Sequence, residues 1–165
     1  MDSPIPADGN LLPPYRILDL AGGPGVFCGK LLADYGADVI KIEPPSGDYG
    51  RSKGPFLGDE PHPEQSMYFL FYNTNKRSIT LNLETVLGQT IFKRLAATAD
   101  AVVESFPVDY LKGLGLDYES LKEANPGLVM ASVTPFGQEG PWKDYKSSDL
   151  IALAASGYMQ ITGDP

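Results

Sequence analysis

The stretch that most constrains the fold is residues 17–45, ILDLAGGPGVFCGKLLADYGADVIKIEPP. A short apolar run at 16–20 leads straight into GGPG. Residues 26–35 then place Phe27, Cys28, Leu31, Leu32 and Tyr35 at i, i+1, i+4, i+5 and i+8, the spacing of one helix face. That face predicts a buried, structural Cys28 thiol. Gly36 is positioned to end the helix, and DVIKIE at 38–43 reads as a second strand. Strand, helix and strand within about 30 residues form a βαβ unit, whose strands run parallel through a right-handed crossover.

The glycines admit two readings. Gly23-Pro24-Gly25 opens the helix, Gly29 completes a GxGxxxG spacing, and Glu43 lies 20 residues after Gly23. An acid at that distance commonly takes a ribose hydroxyl, and LDLAGGPG resembles the first motif of S-adenosylmethionine-dependent methyltransferases. Equally, every βαβ unit needs a tight turn, and glycine with proline is its usual chemistry. The two prolines after Glu43 stiffen the backbone where a ribose-binding acid would sit.

Further along, residues 44–65 are rich in Pro, Gly and charge and read as a long loop, a kind that is often functional. SITLNL at 78–83 alternates as a strand, and Leu87, Ile91 and Leu95 mark one face of a helix over 85–98. DAVVES and GLVMASVT are strand-like, YESLKEA is a short helix, and FGQEGPW is a glycine loop. Residues 149–159 are almost entirely apolar, which predicts a buried helix. The alternation of β and α gives an α/β fold with a doubly wound, largely parallel sheet.

With 165 residues, one domain is the expectation. A net charge of −8 argues against nucleic acid or an anionic membrane as partner, since both reward basic surfaces. The single cysteine leaves no intramolecular disulfide and no multi-thiolate zinc site, so no metal is expected; it fits a reducing, cytoplasmic setting. Residues 1–12 show neither a basic segment nor an apolar core and read as a flexible tail. The sequence stops at ITGDP directly after an apolar run, which suggests the front part of a longer protein.

Five collinear segments carry a resemblance: LLADYGADVIKIEPPSGDYGR, YFLFYNTNKRSITLNL, ADAVVESF, LGLDYESLKEANPGLVMASVTPFGQEGPW and SSDLIALAASGYMQITG. Together, over residues 15–165, they resemble the class III coenzyme A transferases. This is the formyl-CoA and carnitine CoA-transferase (CaiB/BaiF) group, which also contains α-methylacyl-CoA racemase. The resemblance implies a Rossmann-like large domain, here residues 13–165 as its truncated N-terminal portion, and an interlocked homodimer at full length. It implies acyl-CoA and a carboxylic acid acceptor as substrates. An aspartate carboxylate attacks the thioester, releases the CoA thiolate and forms an aspartyl-acyl anhydride that stays activated for onward transfer. That aspartate is expected beyond Pro165, in a segment that Asp164 precedes, so these residues alone are expected to be inactive.

Carried over position by position, the resemblance implies CoA contacts at Asn75, Lys76 and Arg77 of NTNKRS, at Arg51, at Lys146, and at Ser105 and Phe106. Lysine and arginine suit the phosphates of CoA through charge-assisted hydrogen bonds, although each could be a solvated surface cation, Asn75 a turn residue and Phe106 core. Gly22, Gly23, Pro24 and Gly25 fall where the family lines its acyl pocket. Gly23 stands where oxalate-using members carry glutamine. Asp149 matches an acidic active-site position and could equally cap its helix, as could Ser148. Racemases carry histidine at the position of Ser148, whereas the one histidine here, His62, lies in the long loop. Acyl-CoA racemase is therefore an alternative, beside the methyltransferase-like domain and an inactive CoA-binding fragment.

Overall fold

In the computed structural model, residues 11, 12 and 15–163 are described. The tail residues 1–10 and Asp164 lie outside them. Five strands form one sheet: β1 (Arg16–Asp19), β2 (Asp38–Glu43), β3 (Arg77–Thr80), β4 (Ala101–Glu104) and β5 (Val129–Ser132). Their order is β3-β2-β1-β4-β5, and every pairing is parallel. The α/β, doubly wound reading therefore holds, and the sheet is wholly parallel.

Helices cover both faces because the central strands are apolar on both sides. Leu18, Leu20, Ile40, Ile42 and Val102 pack with Phe92, Ala96, Leu111 and Leu121 on one face. These last come from α3 (Val86–Ala96), α4 (Tyr110–Gly113) and α5 (Tyr118–Lys122). Ile17, Val39 and Val103 pack on the other face against Ala33 of α1 (Val26–Asp34). Beside α1 lies α2 (Met67–Asn73). Thr85 starts α3 by accepting a hydrogen bond from the Gly88 amide.

Three expectations are corrected. The buried face of α1 is Val26, Gly29 and Ala33, not the large apolar stripe. Small residues let the helix lie close to the sheet, and the stripe turns toward α2, where Phe27 meets Tyr72 edge-on at 6.2 Å. Cys28 is consequently exposed rather than buried. In α3 the face rotates by one residue, to Gly88, Phe92 and Ala96, leaving Leu87 exposed. Finally, residues 149–159 form no single buried helix. They split into α6 (Asp149–Ala155) and α7 (Tyr158–Thr162) at Gly157, whose φ of 76° breaks the helix, and neither buries a residue among the described ones.

The long loop is more ordered than its composition suggests. It contains a 3-10 turn at Tyr49–Ser52, capped by Asp48, and closes through a bridge between Phe56 and Ser66. Ser66 donates to the carbonyls of Gly50 and Lys53 and caps α2 through the Phe69 amide.

Candidate functional site

In a parallel sheet of this kind, ligands bind outside the carboxyl ends of the strands where the strand order reverses. Here that point lies between β1 and β4. The glycine turn sits there, and Ser105, just past β4, holds it from across the crevice. The Ser105 hydroxyl donates to the Gly22 carbonyl at 2.8 Å and accepts from the Gly22 amide at 2.9 Å. Gly23 has a φ of 46°, a left-handed conformation that suits glycine. A side chain at Gly25 would meet the Ala21 Cβ at 2.9 Å, so only glycine lets turn and strand come this close. The resulting cleft, about 330 Å³, is lined by Gly22, Gly23 and Pro24 on one wall and Asp48 and Tyr49 on another. Ser105 and Phe106 line it as well. The structure thus brings the glycine turn together with Ser105 and Phe106.

Beneath the cleft lies a buried polar network that the sequence reading missed. Asp19 and Lys41 are register partners on β1 and β2, with side chains 0% and 1% exposed. One Asp19 oxygen accepts from the Ala21 amide at 2.9 Å, and the other from the Lys76 ammonium at 2.7 Å. Lys41 donates to the Ala21 carbonyl and pairs with Asp48 at 3.0 Å. Two lysines and two aspartates leave the cluster neutral, as burial requires. Gly29 makes room for it, because a side chain there would collide with the Asp19 carboxylate. Lys76, expected to face CoA phosphate, points inward with its side chain 1% exposed and also donates to Asn73 at 3.0 Å. Burial pulls its pKa down, and Asp19 opposes that fall. A charged residue inside each apolar strand, ILDL and VIKIE, was the available signal.

Glu43 is the second anchor. It is 3% exposed and accepts from Arg51 Nε at 2.6 Å and Nη2 at 2.8 Å, from Ser78 at 2.5 Å and from the Asp48 amide at 2.9 Å. Burial alone would raise its pKa, but these hydrogen bonds outweigh burial and lower it to about 2. Arg51 also reaches Glu64 at 2.9 Å and lies 3.8 Å over the Phe69 ring. The guanidinium therefore pins the loop that carries Asp48 and Tyr49 to the end of β2. The acid suggested by its distance from Gly23 holds protein, not ribose.

The other sequence candidates lie apart from the cleft. Asn75, with a φ of 66°, donates to Asp34 at the far end of α1. Arg77 forks onto Asp38, the first residue of β2, so both sit at the amino ends of the strands, opposite the cleft. Lys146 is exposed in the segment before α6. Ser148 caps α6 and Asp149 occupies its first turn, exposed to solvent. Among the described residues, no group of three or more His, Cys, Asp or Glu is arranged to hold a metal. No helix there is long and apolar enough to cross a membrane.

Comparison with known proteins agrees with this architecture. The model of CoA-transferase family III matches residues 12–165. The chain is 42% identical over 149 residues to the succinyl-CoA:(R)-benzylsuccinate CoA-transferase subunit BbsE of Thauera aromatica, covering 90% of this chain and 36% of that protein. It is 44% identical over 156 residues to the succinate–glutarate CoA-transferase of Agrobacterium fabrum, covering 91% and 38%. Among solved structures, a CAIB/BAIF family protein from Brucella suis superposes with a TM-score of 0.82 at 39% identity, covering 92% of this chain and 40% of that one. The chain thus spans well under half the length of the relatives it matches. With a family match over nearly its whole length and a shared parallel sheet, the chain belongs to CoA-transferase family III.

Proposed function

We propose that this chain is the N-terminal, CoA-handling part of an acyl-CoA:carboxylate CoA-transferase. The observation that carries the reading is the family match over residues 12–165. Relatives named as succinyl-CoA or succinate transferases support a short dicarboxylyl-CoA as the donor. In this reading the cleft of Gly22, Gly23 and Pro24, with Gly25 packed behind it and Ser105 and Phe106 closing it, receives the thioester end of CoA. Its side-chain-free turn lets the acyl group approach the backbone. Arg51 and Lys146 serve the nucleotide end, and Lys76 supports the glycine turn indirectly through Asp19. Asn75 and Arg77, at the opposite ends of the strands, take no direct part.

The reaction itself belongs to the whole protein. An aspartate from beyond Pro165 attacks the thioester carbonyl; the C–S bond breaks, CoA leaves as thiolate, and an aspartyl-acyl anhydride forms. The CoA thiolate attacks the aspartyl carbonyl of the anhydride, releasing the donor acid and leaving an aspartyl-CoA thioester. The acceptor carboxylate attacks that carbonyl and displaces the thiolate. The thiolate then attacks the acceptor's carbonyl in the new anhydride, giving the new acyl-CoA and free aspartate. Asp149, whose position matches an acidic active-site position of the family, is assigned to the active-site boundary. The whole enzyme is an interlocked homodimer of the cytoplasm and needs no metal.

The test uses the protein at the length of its relatives. Succinyl-CoA is incubated with a panel of small carboxylic acids, and the thioesters are separated by chromatography. Formation of a new acyl-CoA with one succinate released per thioester formed supports the proposal. Hydrolysis alone, or no exchange with any acid, overturns it.

A further inference from the structure

Among the described residues no hydrogen bond or ion pair joins the two walls of the cleft directly, yet one buried group contacts both. The Lys41 ammonium donates to the Ala21 carbonyl, at the root of the glycine turn, and pairs with the Asp48 carboxylate, on the loop wall, at 3.0 Å. Each wall has its own second anchor. Asp19 fixes the Ala21 amide at 2.9 Å, and Glu43 fixes the Asp48 amide at 2.9 Å. Asp48 Oδ1 is occupied separately by the Gly50 amide at 2.6 Å, which leaves Oδ2 for Lys41.

From this geometry we propose that Lys41 is a positioning residue that sets the width of the CoA cleft, with Asp48 as its partner on the loop. The proposal rests on the CoA reading of the preceding section. An ammonium buried at 1% exposure cannot bind ligand directly. It does hold the Ala21–Gly22 peptide and the Asp48–Tyr49 segment at one separation. Burial makes that spacing rigid, since a buried ammonium that gives up either partner leaves an uncompensated polar group.

Asp48→Asn tests the link with little disturbance. The asparagine oxygen can still accept from Gly50, while its NH₂ group would face the Lys41 ammonium and break only the connection between walls. In a ¹H–¹⁵N spectrum of the 165-residue chain, D48N is expected to move the amide signals of Ala21 and Gly22, which Asp48 does not touch. By titration calorimetry with CoA, D48N is expected to bind about tenfold more weakly, the scale of one lost charged hydrogen bond. Lys41→Met removes both contacts, and the K41M/D48N double variant is expected to be no weaker than K41M, because both changes cut one link.

Spectral changes confined to residues 46–51 would overturn the link. Propagated changes with unaltered CoA affinity would overturn the positioning role. A parent chain that binds no CoA would instead sink the CoA reading, and this role with it, so the two failures are distinct.

Discussion

Replacing Glu43 by glutamine removes the charge at the point where the long loop meets the sheet. Four hydrogen bonds converge on that carboxylate, two of them from Arg51. Its pKa falls from an ordinary 4.5 to about 2, a difference equivalent to about 3 kcal/mol in the unscreened limit. Solvent reaches Arg51 on its Glu64 side, so about 1–2 kcal/mol is the working figure after screening. Because the folded pKa is depressed, this stabilisation is complete above about pH 5 and disappears as pH falls toward 2. Urea unfolding of parent and E43Q from pH 7 down to pH 3 measures it. The parent should be more stable by about 1–2 kcal/mol at pH 7, and at least half of that gap should close by pH 3. An E43Q variant as stable as the parent at pH 7, or a gap that does not narrow with acid, would show that the Glu43 carboxylate does not anchor the loop.

Other perturbations read different parts of the architecture. Gly29→Ala places a methyl group against the Asp19 carboxylate and the Lys76 ammonium, and thermal unfolding should show a loss of about 1–3 kcal/mol despite alanine's better helix propensity. Ser105→Ala deletes both hydrogen bonds to the Gly22 peptide; a loss of about 1–2 kcal/mol in urea is expected, with faster amide exchange at Gly22. Phe92→Ala empties a fully buried site between α3 and the sheet and should cost about 3–5 kcal/mol by the same assay.

The sheet and the helices α1, α3 and α5 were legible because apolar periodicity reports directly on strands and helices, whereas α2 and α4, too short to show a period, were not. The βαβ unit, the helix over 86–96 and the strands at 101–104 and 129–132 all follow from it. Periodicity does not report what an apolar face packs against. The stripe of Phe27, Leu31 and Tyr35 looked like core because those side chains are large, yet the close approach of α1 to the sheet selects Gly29 and Ala33. The apolar run after Asp149 failed for the same reason, since its composition names no partner. At the site, the glycine turn was visible in sequence, and its link to Ser105 became visible only with the strand order. NTNKRS looked like one basic patch, but a turn followed by a strand sends its neighbours different ways. Asn75 goes to Asp34, Lys76 inward to Asp19, and Arg77 to Asp38. Asp19 and Lys41 stand 22 residues apart, and only the parallel register of β1 and β2 reveals that they pair.

The proposed function requires the glycine turn to serve a coenzyme A thioester rather than S-adenosylmethionine. Titration calorimetry of the 165-residue chain with each compound tests it most directly. CoA should give saturable heat that is lost when Gly23 is replaced by a bulky residue, and S-adenosylmethionine should give none. Saturable S-adenosylmethionine binding without CoA binding would contradict it.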